Sequence, residues 1–354
     1  MGKRIKEALR RNWFAVLTMT LSLGVLLYFL FRNGGVEMLG SIIASLKWEW
    51  SLCALGAVGL TYLLEGYVLN LFCRHLVPRW QYLRSFNIGL IGLLYSALTP
   101  FSTGGQPMQI YTMKKMGMDT GSAGAIIAVK TLVYQIVMVG YAMILVVLKL
   151  GYFQHSVSNF SFLTIIGLLT NSAFIVLVLM FTLSSTVTDK MLRGGIKLLT
   201  KLHLCKHPEE RYAKIHGSLS GFHDSARIMG KSFKMYASAV ILTMVQITLS
   251  SMIPYFIYRS FGLEGESLLT VIAAQTFVSM VSAFVPLPGA SGGAEGSFVL
   301  FFGKIFGAAV LPATLIWRML TYYSNILFGC VAAYFGGRQC QAQSVQPEGD
   351  TTVS

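Results

Sequence analysis

Two basic residues, Lys130 and Arg318, lie deep inside long apolar segments of this chain of 354 residues. Each lies about eight or nine residues from the start of its segment, so at about 1.5 Å per helical residue both are expected near the middle of a bilayer. A charge at that depth costs at least about 2.5–3.5 kcal/mol and commonly serves a function. Because Arg binds phosphate bidentately and Lys binds it as a point charge, the two residues predict a phosphate-binding pair.

Both cations belong to an internal repeat with an offset of 188 residues. The segments PFSTGG and PGASGG share the pattern P-x3-G-G, and a basic residue and then a tyrosine follow each segment at the same distances. The matching positions are Pro100 and Pro288, Gly104 and Gly292, Gly105 and Gly293, Lys130 and Arg318, and Tyr134 and Tyr322. Paired, interrupted helices are typical of secondary transporters, whose binding sites lie near the bilayer midplane between inverted repeats.

The Pro/Gly segments predict broken helices whose ends attract an anion. Proline lacks an N–H and glycine adds backbone freedom, so a helix stops there. The free N–H groups and the positive dipole end both favour a phosphate. The residues predicted to bind it are Lys130, Arg318, Gly104, Gly105, Gly292, Gly293, Ser102, Thr103 and Ser291. Two alternatives stay open, since glycines also serve as packing surface and the hydroxyls can satisfy freed backbone groups.

A second interpretation pairs each cation with a buried carboxylate, which a ligand phosphate would displace. Glu65 lies in the middle of an apolar segment, and Glu295 follows the second glycine pair. Glu295 is also a candidate proton carrier for coupling. Tyrosines four residues after each cation, and an asparagine seven after the second, extend polar stripes on the same helix faces. The predicted polar partners or coupling residues are Glu65, Glu295, Tyr134, Tyr322 and Asn325.

The composition indicates an integral membrane protein. Hydrophobic residues make up 54% of the chain and charged residues only 12%, whereas soluble domains carry about 25% charged residues. The net charge of +14 is explained by positively charged cytoplasmic loops, so no nucleic-acid partner is predicted. Five scattered cysteines do not form a disulfide framework. The His/Cys cluster within 203–223 fits no familiar zinc pattern, and no Walker loop is present, so no metal or other cofactor is predicted.

The elements that position these residues are predicted to be helices. The fold class is an all-α polytopic membrane protein with about six full transmembrane helices and two re-entrant Pro/Gly-Gly hairpins in an inverted repeat. A bilayer core needs about 20 apolar residues per helix. Segments of that kind are 13–31, 48–72, 121–149, 161–183, 235–258 and 310–335, and the broken ones are 86–118 and 267–305.

Charges between these segments predict their orientation. The basic N-terminal segment and the basic connections 73–84 and 184–234 are expected in the cytoplasm, and 150–160 and 259–266 outside. These assignments agree only if the first hairpin enters and leaves on the cytoplasmic side and the second on the outer side. Such irregular backbone must be enclosed by protein or line a wet cavity. Both termini are predicted to be cytoplasmic, in a bacterial cell membrane.

One integral membrane domain is predicted over residues 1–340. Its repeat halves lie at about 48–149 and 235–335, and the helix 161–183 and the basic loop 184–234 join them. A disordered tail, 341–354, is predicted to follow the domain. Within the basic loop, the mixed apolar and basic segment 190–202 would suit an interfacial helix on anionic lipid.

The chain resembles the lysylphosphatidylglycerol synthase transmembrane (flippase-like) family, the membrane half of the multiple peptide resistance factor. The resemblance rests on LTPFSTGGQPMQIYTMKKMG, the intramembrane Lys130, FVPLPGASGGAEGSF with Glu295, and Arg318, and it covers roughly residues 10–335. In two-part members a soluble synthase domain transfers lysine from charged tRNA to phosphatidylglycerol, and the membrane domain is thought to move the product. A chain ending at 354 leaves no room for that domain, so the resemblance implies lipid translocation rather than lysyl transfer.

The leading hypothesis is a flippase for an anionic or aminoacylated phospholipid such as phosphatidylglycerol or lysyl-phosphatidylglycerol. Its expected partners are the membrane phospholipid, a second copy of the chain, or a separate lipid synthase. The alternatives are a phosphatidylglycerol lysyltransferase-type enzyme or its membrane subunit, a polyprenyl-linked lipid transporter, a lipid-sensing scaffold, and a small-solute transporter.

Overall fold

A computed structural model describes residues 24, 46–157, 160–201, 208–283 and 285–343, and the regular elements in this part of the chain are helices. Five of them are long and apolar enough to cross a membrane, so the protein is an all-α polytopic membrane protein, as predicted. They coincide with the predicted spans from 48–72 onwards. The predicted first span, 13–31, lies outside the described residues, as do 202–207 of the His/Cys cluster and 344–354 of the predicted tail.

The helices follow one another with short connections. Their bounds are α1 Trp48–Leu76, α2 Tyr82–Leu98, α3 Gly105–Lys115, α4 Thr120–Ser156, α5 Phe160–Leu183, α6 Ser185–Lys201, α7 Pro208–Met229, α8 Phe233–Ser260, α9 Leu268–Ser282, α10 Gly293–Phe306, α11 Val310–Arg318 and α12 Ser324–Gln343. Single 3₁₀ turns, Pro100–Ser102 and Pro288–Ala290, separate α2 from α3 and α9 from α10, and a π-helical turn, Met319–Tyr323, joins α11 to α12. Helix α12 extends three residues into the predicted tail, to Gln343.

The order of elements in the first half recurs in the second. Helices α1 and α2, the first 3₁₀ turn, α3 and α4 correspond to α8 and α9, the second 3₁₀ turn, α10 and the α11–α12 pair. The two 3₁₀ turns begin at residues 188 positions apart, Pro100 and Pro288, as the sequence offset requires.

Each broken segment forms a helical hairpin, because its two arms pack against one another. The arms contain 17 and 11 residues in the first hairpin and 15 and 14 in the second. At about 1.5 Å per residue the longest arm reaches about 26 Å, which is shorter than a bilayer core of about 30 Å. Three of the four arms are therefore shorter than the minimum of about 17 residues for a transmembrane helix, and α2, with 17 residues, lies at that minimum.

The backbone of the two turns is strained at matching positions. Phe101 and Ser102 have φ angles of 53° and 54°, and their counterparts Gly289 and Ala290 have 59° and 54°. A left-handed conformation costs an ordinary residue about 1–2 kcal/mol, and only Gly289 avoids that cost. Such strain persists only where the surrounding structure imposes it, and it clusters at functional sites.

The predicted basic loop 184–234 contains two helices, α6 and α7, and α6 covers residues 190–201 of the segment 190–202 that suits an interfacial helix. Side chains join the two helices, because Tyr212 of α7 donates to Asp189 of α6 over 2.6 Å and Arg193 of α6 donates to the Tyr212 hydroxyl over 2.5 Å. The hydrogen bonds that Asp189 accepts, from Tyr212 first and then from Arg193, lower the pKa of its carboxyl. Helix α7 also packs on the start of α4, where Ser122 and Ser225 are 3.0 Å apart.

The halves are held together chiefly by α1 against α8 and α2 against α12. At the second contact a Cβ added to Gly329 would lie 2.8 Å from the Leu90 carbonyl oxygen and 2.5 Å from Leu94 Cβ. Small residues at such crossings let membrane helices approach closely, which is the main source of their packing energy.

We therefore expect Gly329→Val to separate α2 from α12 and to destabilise the protein by about 1–3 kcal/mol, as overpacking of a filled interface does. Thermal unfolding of purified protein in detergent measures the change. The matched control is Gly140→Val, since Gly140 is exposed and has no atom within 4 Å of an added Cβ. Equal melting temperatures for the two variants would contradict this account of the interface.

Candidate functional site

The turns of the two hairpins contact one another where the two halves meet. Tyr322 takes part in this contact, because its hydroxyl donates to the carbonyl oxygen of Ala97, in α2, over 3.4 Å. The Tyr322 ring also covers Gly289, where any added Cβ would collide with it. The structure therefore brings the two Pro/Gly segments together, although they are 188 residues apart in the sequence.

Arg318 is held by groups of the second hairpin. Its Nε donates to Glu295 Oε1 over 2.7 Å, and one terminal nitrogen donates to the Gly289 carbonyl oxygen over 3.1 Å. Its guanidinium carbon lies 5.0 Å from the ring centre of Tyr322 and 5.4 Å from that of Trp317. Both side chains of the ion pair are only 6% exposed. Arg318 thus has a carboxylate, a carbonyl and two aromatic partners inside the protein.

Glu295 also binds the backbone of the second hairpin. Its second oxygen, Oε2, accepts the Gly292 N–H over 2.6 Å. Gly292 has a φ of 82°, which favours glycine, and it immediately precedes α10. A carboxylate in the first turn of a helix is stabilised by the positive end of the helix dipole. One carboxylate therefore neutralises Arg318 and caps α10 at the same time.

Lys130 forms the other intramembrane ion pair, with Glu65. This carboxylate comes from α1, and its second oxygen accepts the Gln246 side-chain amide, from α8, over 3.1 Å. The Glu65 stem passes over Gly89 of α2, where an added Cβ would lie 3.1 Å from Cγ. Gln109 of α3 also stabilises the carboxylate by hydrogen bonding. The pair therefore lies at a junction of both halves.

Equivalent positions of the repeat have different surroundings. Each side chain of the Lys130–Glu65 pair is 13% exposed, about twice the exposure of the pair in the second half. Tyr134 is 41% exposed, whereas its counterpart Tyr322 is 4% exposed. The more accessible face is thus on the side of Lys130.

The turns themselves show the same difference. Phe101, Ser102 and Thr103 are exposed, whereas Ala290 and Ser291, the counterparts of the last two, are 8% and 1% exposed. The Thr103 hydroxyl donates to the Pro100 carbonyl oxygen over 3.0 Å. That of Ser291 donates to the carbonyl oxygen of Pro288 over 2.9 Å. These two hydroxyls satisfy freed backbone groups, which is the alternative that the sequence left open.

The predicted glycines have packing contacts. A Cβ on Gly105 would collide with Ser96 and lie 2.7 Å from the Gly92 carbonyl oxygen, and one on Gly293 would collide with Val285. The Gly104 N–H is bound by Thr99 Oγ1 at 2.8 Å. These glycines let the arms of each hairpin cross closely. Whether they also contact a phosphate stays a prediction.

Sequence reasoning missed Tyr62, Gln246 and Gln109, although it found two of their partners, Glu65 and Asn325. The Tyr62 hydroxyl donates to Asn325 Oδ1 over 2.8 Å and lies 2.7 Å from Ser324 Oγ, which ties α1 to the end of the π-helical turn. The available signal was the polar type of each residue inside an apolar helix. None of the three residues has a residue of the same type at the repeat offset of 188, so they stood out less than the paired cations.

The chain is similar to known proteins over nearly its whole length. Residues 13–329 match the family described as "Lysylphosphatidylglycerol synthase TM region". A UPF0104 membrane protein of Archaeoglobus fulgidus is 23% identical over 319 residues, which are 86% of this chain and 92% of that relative. The matched range 13–329 includes both Pro/Gly segments and the positions of both ion pairs.

We expect Glu295→Gln to destabilise the protein strongly, by about 3–5 kcal/mol, because it leaves Arg318 buried without a countercharge. The control is Glu264→Gln in the surface pair of Glu264 with Arg259, whose side chains are 66% and 25% exposed. An exposed pair contributes about 0–1 kcal/mol, so this change should be nearly neutral. Thermal unfolding in detergent compares the two, and a Glu295→Gln protein as stable as its control would refute a structural role for the buried pair.

Proposed function

The chain belongs to the lysylphosphatidylglycerol synthase transmembrane family, and we propose that it moves a phospholipid headgroup across the bilayer. The proposed cargo is an anionic or aminoacylated phospholipid, such as phosphatidylglycerol or lysyl-phosphatidylglycerol. The headgroup phosphate binds at Lys130, near the middle of the bilayer, while the acyl chains stay in the membrane.

The contact between the two hairpin turns carries this proposal. Transporters with inverted repeats bind their cargo near the bilayer midplane, where interrupted helices of the two halves meet. Here the two turns touch, and each half adds a basic residue at the equivalent position. Basic residues at that depth suit a phosphate, which otherwise cannot enter hydrocarbon.

The charge distribution supports opposite orientations of the halves in a cell membrane. With 73–84 and the α6–α7 segment in the cytoplasm, the first hairpin enters from that side and the second from outside. The turns then meet near the midplane, since no arm exceeds about 26 Å. Both chain ends lie in the cytoplasm in this arrangement.

The exposed face beside Lys130 supports a route for the headgroup. Tyr134 is 41% exposed there, and each side chain of the Lys130–Glu65 pair is 13% exposed. Alternate opening of a path along this face towards the two sides would transfer the headgroup between leaflets. The chain has no Walker loop, so lipid supply or an ion gradient would set the direction.

An enzymatic role is the second candidate, because the family description names a synthase. In that role the membrane region would serve lysyl transfer from charged tRNA to phosphatidylglycerol. Formation of lysyl-lipid by the purified chain would favour it over translocation.

We expect proteoliposomes of the purified protein to exchange fluorescent phosphatidylglycerol or its lysyl derivative between leaflets, as reported by a membrane-impermeant quencher. Lys130→Met should slow exchange roughly ten- to hundredfold, because a hydrogen bond to a charged group contributes about 1.5–3 kcal/mol. The double variant Lys130→Met/Glu65→Gln leaves no unpaired charge and should be equally slow.

The matched control is Lys149→Met, the same substitution on the same helix. Lys149 is exposed and lies 3.5 Å from Ser267 Oγ, away from the ion pairs. This variant should exchange lipid at the wild-type rate. Exchange no faster than in empty liposomes, for each lipid and for the wild type, would count against translocation.

A further inference from the structure

We propose that the two intramembrane ion pairs have different tasks. Arg318–Glu295 permanently holds the second hairpin, whereas Lys130–Glu65 opens, and Glu65 is an internal competitor that the cargo phosphate displaces from Lys130. The identity of the ligand rests on the proposed function; the difference between the pairs rests on their contacts.

Both side chains of the Arg318–Glu295 pair bind the backbone of the second hairpin. Glu295 binds both Arg318 and the Gly292 N–H, and Arg318 binds the Gly289 carbonyl oxygen across the same turn. Three hydrogen bonds and the Tyr322 ring therefore depend on one another. Removing either charge leaves the other charged side chain, which is only 6% exposed, without a countercharge. An unpaired charge in that position strongly destabilises the protein. A ligand that took Arg318 from Glu295 would also uncap α10.

The first hairpin has no carboxylate of its own. The position equivalent to Glu295 is Pro107, and the position equivalent to Glu65 in the second half is Ile253. Lys130 therefore takes its countercharge from α1, outside the hairpin. This pair links α1, α4 and α8 without holding the turn, so its opening leaves the hairpin bonds of Thr99 and Thr103 intact.

The first pair is also the accessible one. Its side chains are 13% exposed, and Tyr134, one helical turn after Lys130, is 41% exposed. A phosphate reaching Lys130 along this face would replace one oxyanion by another. The displaced Glu65 would keep the Gln246 amide, which already binds its other oxygen at 3.1 Å.

The net charge of the site predicts whether Glu65 strengthens or weakens binding of the headgroup. With a phosphodiester bound, Lys130, Glu65 and the phosphate have a net charge of −1. Glu65→Gln makes that site neutral and removes the competitor. We expect this variant to bind the headgroup more tightly, by about tenfold, which is within the usual range for two coupled ligands.

The experiment measures binding separately from transport. Dihexanoyl-phosphatidylglycerol, a short-chain lipid, is titrated calorimetrically into purified protein in detergent, and the melting temperature is recorded without lipid. Glu65→Gln should lower the Kd about tenfold and lower the melting temperature less than Glu295→Gln does, because the Lys130 side chain is 13% exposed and that of Arg318 only 6%. Lys130→Met and the double variant Lys130→Met/Glu65→Gln should not bind, whereas Lys130→Arg should bind as the wild type does.

The opposite exchange, Arg318→Lys, is the matched comparison. Lysine keeps the charge but cannot donate from two fixed nitrogens to Glu295 and Gly289. It should lower the melting temperature by several degrees and leave the Kd of the folded protein unchanged. Glu295→Gln should behave in the same way.

Five outcomes would overturn the inference. Tighter binding that persists in the double variant would show that Lys130 is not the site. Weaker binding in Glu65→Gln, or lost binding in folded Arg318→Lys, would assign the ligand to other groups while leaving translocation intact. Binding of inorganic phosphate more tightly than of the lipid, or no binding in the wild type and Glu65→Gln, would contradict the proposed lipid function as well.

Discussion

A charged side chain in the hydrocarbon of a membrane needs a countercharge, and this requirement organises the centre of the protein. Lys130 and Arg318 both obey it, with carboxylates supplied by α1 and α10. Each ion pair joins helices that hydrophobic attraction cannot join, because lipid tails are as apolar as the helix surfaces. The pairs therefore determine which helices lie together at the level of the turns.

The broken helices depend on the same principle for their backbone. A turn inside a membrane must satisfy its own N–H and C=O groups. Thr99, Thr103 and Ser291 supply hydroxyls for this purpose, and Arg318 and Glu295 supply charged groups in the second turn. Left-handed residues in both turns are tolerated because the turns pack against one another. Many hydrogen bonds and packing contacts thus fix the backbone at the place where cargo is proposed to bind.

The two halves have the same order of elements but different chemistry. The second turn is buried and closed by its own ion pair, and the first is exposed. Differences of this kind suit alternating access, in which one half is held firm while contacts of the other change. Two exchanges separate the pairs, because the first half has Pro107 at the position of Glu295 and the second half has Ile253 at the position of Glu65.

The sequence alone determined the fold class, the five spans within the described residues, the positions of both hairpins and the two cations. These follow from hydropathy, from the backbone limits of proline and glycine, and from spacing, which are local properties. It also offered Glu65 and Glu295 as partners without assigning them, and within 184–234 it predicted only the helix at 190–202, which lies in α6, and not α7. Only the tertiary structure decided that Lys130 pairs with Glu65, that Arg318 pairs with Glu295, and that Gln246, Gln109 and Tyr62 join the site. These contacts join residues up to 263 positions apart, and such pairing depends on how the helices cross, which no local pattern specifies.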